Sequence, residues 1–173
     1  MGILPDCRQS SSMICFYPKG MNGKNGKLEV LLAEDDSNDI ILLECAIRKN
    51  NVPGRFHIVR DGFEAIAYLK GEGKFEDRLA HPFPDLIVLD IKMPQITGFE
   101  VLKWLRAHPD CATIPAVMLS GSELDSDIEE AFRLGANSYF RKPSSIDSLT
   151  GLLRAVVHYW WLSERPRKRR SCK

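Results

Sequence analysis

A chain of 173 residues, 44% hydrophobic and 27% charged, suits one domain with a substantial core plus short tails. Its formal net charge of +1 conceals an asymmetry: Arg165, Arg167, Lys168, Arg169, Arg170 and Lys173 gather at the end and leave the body acidic. No apolar run approaches the roughly 18 residues of a membrane span, and the start lacks a basic stretch followed by an apolar one, so no secretory signal and a cytoplasmic location are expected. Residues 1–26 hold scattered Ser, Pro, Gly and Asn without a period and read as a disordered leader, with Met21 as an alternative start of translation. Leu28–Ala33 is a short apolar run and reads as a buried strand. Ser37 is placed to cap a helix through Ile47, with Ile40, Leu43 and Ile47 on one face. Phe56–Val59 reads as a second strand, and Gly62 opens a second helix with Ile66 and Leu69 inward. Gly71 to Pro84 is a long polar connection. Asp85–Asp90 is an apolar run ending abruptly in a carboxylate, and Gly98–Ala107 is a helix carrying Val101, Leu102 and Leu105. Pro115–Leu119 is a fourth strand, Ser126–Leu134 a helix ended by Gly135, and Ser138–Phe140 a short fifth strand. A last helix runs from Ser144 to about Ser163.

Five strands alternating with five helices predict an α/β fold: a doubly wound, five-stranded parallel sheet with helices on both faces and right-handed crossovers. The expected organisation is a domain over 27–163, the leader before it and a basic disordered tail over 164–173. The tail reads as a solvated end, with contact to nucleic acid or an anionic surface as the alternative. The five cysteines are odd in number and contain no Cys-x-x-Cys, so neither a disulfide framework nor a zinc site is indicated and reduced thiols are expected.

Sheets of this kind bind ligands beyond the carboxyl ends of their strands. The residues waiting there are Glu34, Asp35 and Asp36 after the first strand, Asp90 after the third, Ser120 after the fourth, and Lys142 with Pro143 after the fifth. Crowded carboxylates with only oxygen ligands suit a hard cation, and Mg²⁺ fits because it needs few protein ligands. A cation there and the Lys142 ammonium would neutralise a phosphoryl group, Ser120 would donate a hydroxyl, and Asp90 would be the nucleophile. Taken singly, each is an ordinary loop or cap residue; Asp36 and Ser37 in particular suit a helix cap.

Asp90-Ile91-Lys92-Met93-Pro94 with Gly98 resembles the receiver-domain signature of two-component response regulators. Glu34-Asp35 is similar to the acidic pair of that family, Ser120 to its hydroxyl position, and Lys142-Pro143 to its lysine–proline pair. The resemblance covers about Lys27 to Ser163. It implies that Asp90 accepts a phosphoryl group from the phosphohistidine of a sensor histidine kinase, and that Glu34, Asp35, Asp90 and the Lys92 backbone carbonyl bind Mg²⁺. It further implies that Lys142 pairs with the phosphoryl group, that the Lys142–Pro143 bond is cis, and that Tyr139 is a switch aromatic responding to movement of Ser120. The long Gly71–Pro84 connection and the aromatic last helix make the chain similar to small regulators paired with bacterial phytochrome kinases. Too few residues follow that helix for an output domain.

Two other readings compete. A phosphatase using an aspartyl-phosphate needs an acid two residues on, where Lys92 stands instead. A degenerate receiver acting without phosphorylation would have lost a key residue, and none is lost. In the last helix, Ile146, Leu149, Leu153, Val156 and Trp160 form a core-facing stripe, while Leu152, Val157, Tyr159 and Trp161 widen the apolar surface. That surplus predicts a homodimer or partner contact through the last helix, helped by the fourth helix and fifth strand. His57, His81, His108 and His158 have no ligand spacing and read as structural.

Overall fold

The structure, a computed structural model, describes residues 27–49 and 52–163; the expected leader and basic tail lie outside the described residues. In chain order the elements are β1 (Glu29–Ala33), α1 (Ser37–Lys49), β2 (Arg55–Val59), α2 (Gly62–Lys70), a 3-10 turn at Gly73–Phe75, β3 (Leu86–Leu89), α3 (Gly98–Ala107), β4 (Ala116–Ser120), α4 (Asp125–Arg133), β5 (Ser138–Arg141) and α5 (Ile146–Leu162). All strand pairs are parallel, in the order β2-β1-β3-β4-β5. The doubly wound five-stranded sheet expected from the alternating pattern is therefore present.

Successive strand residues point to opposite faces, and both faces are buried. Leu31, Ala33, Ile87, Leu89, Ala116 and Met118 pack in one layer with Val101, Leu102 and Leu105 of α3 and Ala65 and Leu69 of α2. Val30, Leu32, Leu86, Val88, Val117 and Leu119 pack in the other with Leu43 of α1 and Leu149, Leu153 and Val156 of α5. Continuous rather than alternating apolar runs are the signature of strands covered on both sides. Cys111 is buried in the first layer.

Several local expectations are revised. The α1 cap is Asp36 rather than Ser37: Asp36 Oδ1 accepts from the amides of Asn38 and Asp39 at 2.8 and 3.0 Å. A carboxylate satisfies two orphan amides at once and suits the positive end of the helix dipole. In α2 the buried side chains are Ala65, Tyr68 and Leu69, with Ile66 only half-buried. The Gly71–Pro84 connection is structured. Tyr68 packs against Phe75 and His81, and the Arg78 guanidinium donates to the Tyr68 and Leu69 carbonyls at 2.7 and 2.8 Å. Those are last-turn carbonyls of α2, of which Tyr68 O also accepts from the Gly71 cap amide at 3.2 Å, and a cation suits that end of the dipole. In α5, Val157 is core rather than outer surface, because a helix buried against both α1 and the sheet needs a wider stripe than Leu149, Leu153 and Val156 alone. Tyr159 and Leu162 are the exposed large apolar residues of that helix. His57 has the structural role expected, its Nε2 lying 2.9 Å from Glu29 Oε2.

Candidate functional site

The sheet hydrogen bonding continues one residue past each apolar run, and this places the polar residues rigidly. The Glu34 amide donates to the Val59 carbonyl at 3.0 Å, the Asp90 amide to the Ala33 carbonyl at 3.0 Å, and the Lys142 amide to the Ser120 carbonyl at 2.8 Å. Sites carried on strand ends are held more firmly than sites on free loops. The structure thus brings Glu34, Asp35, Asp90, Ser120 and Lys142 to the carboxyl edge of one sheet. One carboxylate oxygen each from Glu34, Asp35 and Asp90 lies within 4.8 Å of the others.

Asp90 is buried and its two oxygens are differentiated. Oδ2 accepts from the Lys92 amide at 2.9 Å, and Oδ1 lies 3.3 Å from Lys142 Nζ. The same ammonium is 2.7 Å from Glu34 Oε2 and 2.7 Å from Asp39 Oδ2. Burial of Glu34 pushes its carboxyl up to about 7; the hydrogen bond and charge of Lys142 oppose that rise, and the charges of Asp90 and Asp39 add to it. Burial would depress the Lys142 ammonium, but its bonds to Asp39 and Glu34 and the charges of Asp90 and Glu34 outweigh this and hold it well above the usual lysine range.

Two glycines shape the loop that follows Asp90. A Cβ on Gly98 would sit 1.9 Å from the Asp90 carbonyl oxygen, and one on Gly62 would sit 2.3 Å from the Ile96 carbonyl oxygen. Only glycine lets the first turns of α3 and α2 approach this loop so closely. Within the loop Gln95 adopts φ 65°, in the left-handed region, and the Ile96 amide donates to the Pro94 carbonyl at 2.7 Å. Strain of this kind tends to lie beside functional groups.

On the other side of Asp90, Ser120 is fully buried and its Oγ accepts from the Ser122 amide at 3.2 Å. The Ser122 hydroxyl donates to Asp127 of α4, and the Tyr139 hydroxyl donates to the Ser122 carbonyl at 3.1 Å. Tyr139 is half-buried, with its ring against the α3–α4 side of the sheet. No peptide bond among the described residues is cis, so the Lys142–Pro143 bond is trans, against expectation. The trans form is favoured by about 0.5–1 kcal/mol before any tertiary contact, and Lys142 reaches the carboxylates in that form.

Sequence reasoning missed Asp39 and Gly62. Asp39 lies in the first turn of α1, where an acid is ordinary, and its partner Lys142 is 103 residues away. The local signal was a fourth acid following Glu34, Asp35 and Asp36.

The sequence description of the response regulator receiver domain matches residues 30–154, which take in every site residue named above and all five strands except Glu29, the first residue of β1. The chain belongs to the response regulator receiver family. Among curated proteins, this receiver is 30% identical to response regulator Rcp1 of a Synechocystis species over 131 residues, 76% of this chain and 87% of that protein. Among solved structures, the phosphorylated cyanobacterial phytochrome response regulator RcpA matches with TM-score 0.73 at 33% identity, covering 82% of this chain and 100% of the other. A response regulator in red light signalling of R. palustris matches with TM-score 0.76 at 30% identity, covering 82% and 99%. A Mn²⁺-bound form of Rcp1 matches with TM-score 0.69 at 29% identity, covering 81% and 99%. In the present receiver, three oxygen-donor acids at one point fit a hard divalent cation by donor chemistry and spacing. No helix among the described residues is long and apolar enough to cross a membrane.

Proposed function

We propose that this receiver takes a phosphoryl group onto Asp90 from the phosphohistidine of a sensor histidine kinase, in a Mg²⁺-dependent reaction, and acts in the cytoplasm as a switched signalling protein rather than an enzyme with its own substrate. The observation that carries this reading is the setting of Asp90: a buried carboxylate with one oxygen anchored by the Lys92 amide and the other facing Lys142, beside Glu34 and Asp35. An Asp90 oxygen attacks phosphorus while the bond from phosphorus to the imidazole nitrogen breaks. Glu34, Asp35, Asp90 and the Lys92 carbonyl would hold Mg²⁺, which when bound neutralises charge on the phosphoryl oxygens. Lys142 donates to those oxygens, and the Ser120 hydroxyl is drawn toward them. Tyr139 already bonds the Ser122 carbonyl, so movement of Ser120 is relayed to its ring as a population shift between two packings. Incubation with Mg²⁺ and acetyl phosphate is expected to give an acid-stable, base-labile phosphate that Asp90→Asn lacks. Equal labelling of that variant would contradict the reading.

The likeness to RcpA, Rcp1 and the R. palustris regulator supports a bacterial phytochrome kinase as the phosphodonor. Exposed Leu124 at the start of α4 and Phe132 on it, with Tyr159 and Leu162 on α5, support association of two copies through α4, β5 and α5. Light scattering should give a dimer mass that Tyr159→Glu reduces to a monomer; a monomer at every concentration, with and without a phosphoryl mimic, rejects it.

Metal binding should be pH-dependent. Glu34 titrates at about 7 in the metal-free fold against 4.5 for an ordinary glutamate. A raised carboxyl stabilises the fold fully below the ordinary value, and that contribution is lost as pH rises through about 7. A cation needs the carboxylate, so below pH ~7 it must displace a proton, and apparent Mg²⁺ affinity falls by about tenfold per pH unit. Calorimetric titration between pH 5.5 and 8 checks this; an affinity flat across that range contradicts it.

A further inference from the structure

We propose that Asp39 is a positioning residue for phosphoryl transfer, acting through Lys142. The inference rests on the reading of Asp90 as phosphoacceptor and adds a residue to it. Lys142 Nζ has three protons and three carboxylate neighbours: Glu34 and Asp39 at 2.7 Å each, and Asp90 at 3.3 Å. Glu34 and Asp90 belong to the group of acids that fits a cation; Asp39 does not, since the three converging carboxylates are Glu34, Asp35 and Asp90. When a cation draws Glu34 away, Asp39 is the partner that still holds the ammonium. The proton that faced Glu34 then becomes available to a phosphoryl oxygen on Asp90. Without Asp39, a flexible four-carbon stem would have to be ordered during the reaction itself.

Placement supports this over a purely helical role. Asp39 is the third residue after the Asp36 cap, where any acid benefits from the helix dipole. Its carboxylate nevertheless reaches across to β5's trailing loop, where Lys142 is only 18% exposed and Asp39 33%. The helical role alone predicts a small stability loss in Asp39→Asn and no change at Lys142.

The test compares wild type, Asp39→Asn, Asp39→Glu, Lys142→Gln and the double variant Asp39→Asn with Lys142→Gln, using acetyl phosphate and saturating Mg²⁺. Asp39→Asn should slow phosphoryl uptake about tenfold, with Mg²⁺ affinity within about twofold of wild type, and Asp39→Glu should recover part of the rate. In the Lys142→Gln background, Asp39→Asn should have no further effect. Independently of any rate, the Lys142 ammonium should give a slowly exchanging NMR signal in Mg²⁺-loaded wild type that Asp39→Asn loses. An unchanged rate and signal in Asp39→Asn, or an equal slowing with and without Lys142, would overturn the inference. Failure of wild type to take up phosphate would instead overturn the assignment of Asp90, so the two failures are distinguishable.

Discussion

Gly98→Ala is expected to destabilise the protein by about 3 kcal/mol, at the upper end of the cost of overpacking, and to slow phosphoryl uptake by about 100-fold. The added methyl would sit 1.9 Å from the Asp90 carbonyl oxygen and 2.9 Å from its carbonyl carbon. Those are backbone atoms, tied through the Asp90 amide to β1, so no side-chain rotation relieves the contact. Either α3 moves out, or the β3 end moves and takes the acceptor with it. A misplacement of about 1 Å at a reacting group costs around 100-fold. Gly121→Ala is the matched control. It adjoins Ser120, yet nothing lies within 4 Å of a Cβ there, so little change is expected. Thermal melts and acetyl phosphate labelling of both variants check the contrast; equal behaviour would refute the close approach as the reason for Gly98.

The second large effect concerns charge. Lys142→Ala should lower stability at pH 8 without divalent cations by about 3 kcal/mol, the low end for breaking a buried ion pair, because Glu34 can take up a proton instead. Added Mg²⁺ should restore more stability to this variant than to wild type. Lys142 and a cation compete for Glu34 and Asp90, so removing the ammonium strengthens cation binding while weakening phosphoryl transfer. Denaturant melts with and without Mg²⁺ measure both. A variant whose Mg²⁺ stabilisation is smaller than that of wild type would contradict this account of the site.

What was legible in the sequence was whatever repeats locally. Apolar runs such as Leu28–Ala33 and Asp85–Leu89 declare strands buried on both faces. Their abrupt ends in Glu34 and Asp90 declare the edge of the sheet, since a carboxylate cannot continue an apolar layer. The sheet then brings these ends together by topology alone. What escaped depends on distance or on competition between neighbours. Asp39 meets Lys142 only after folding, and its place in a helix turn has a sufficient local explanation. Asp36 won the cap from Ser37 because one carboxylate oxygen serves two amides. Val157 went inward because α5 packs on α1 as well as on the sheet, and Gly62 matters only for what the Ile96 loop does far along the chain. The Lys142–Pro143 geometry followed from the resemblance and not from any residue, and there the structure differs.

The same division sorts the conclusions on function. Membership of the receiver family rests on a match over residues 30–154 and on relatives that include phytochrome response regulators. The roles proposed for individual residues are argued from geometry: two oxygens of Asp90 in different company, an ammonium shared by three acids, and a Ser120–Ser122–Tyr139 chain leading away from Asp90.

The central claim is that Asp90 itself carries the phosphoryl group. Borohydride reduction of the acetyl phosphate-treated protein converts an aspartyl phosphate to homoserine, which peptide mass spectrometry can locate in the sequence. Homoserine at position 90, formed only when Mg²⁺ is present, is the expected result. Homoserine at another aspartate, or none at 90 while label is retained, would contradict the account.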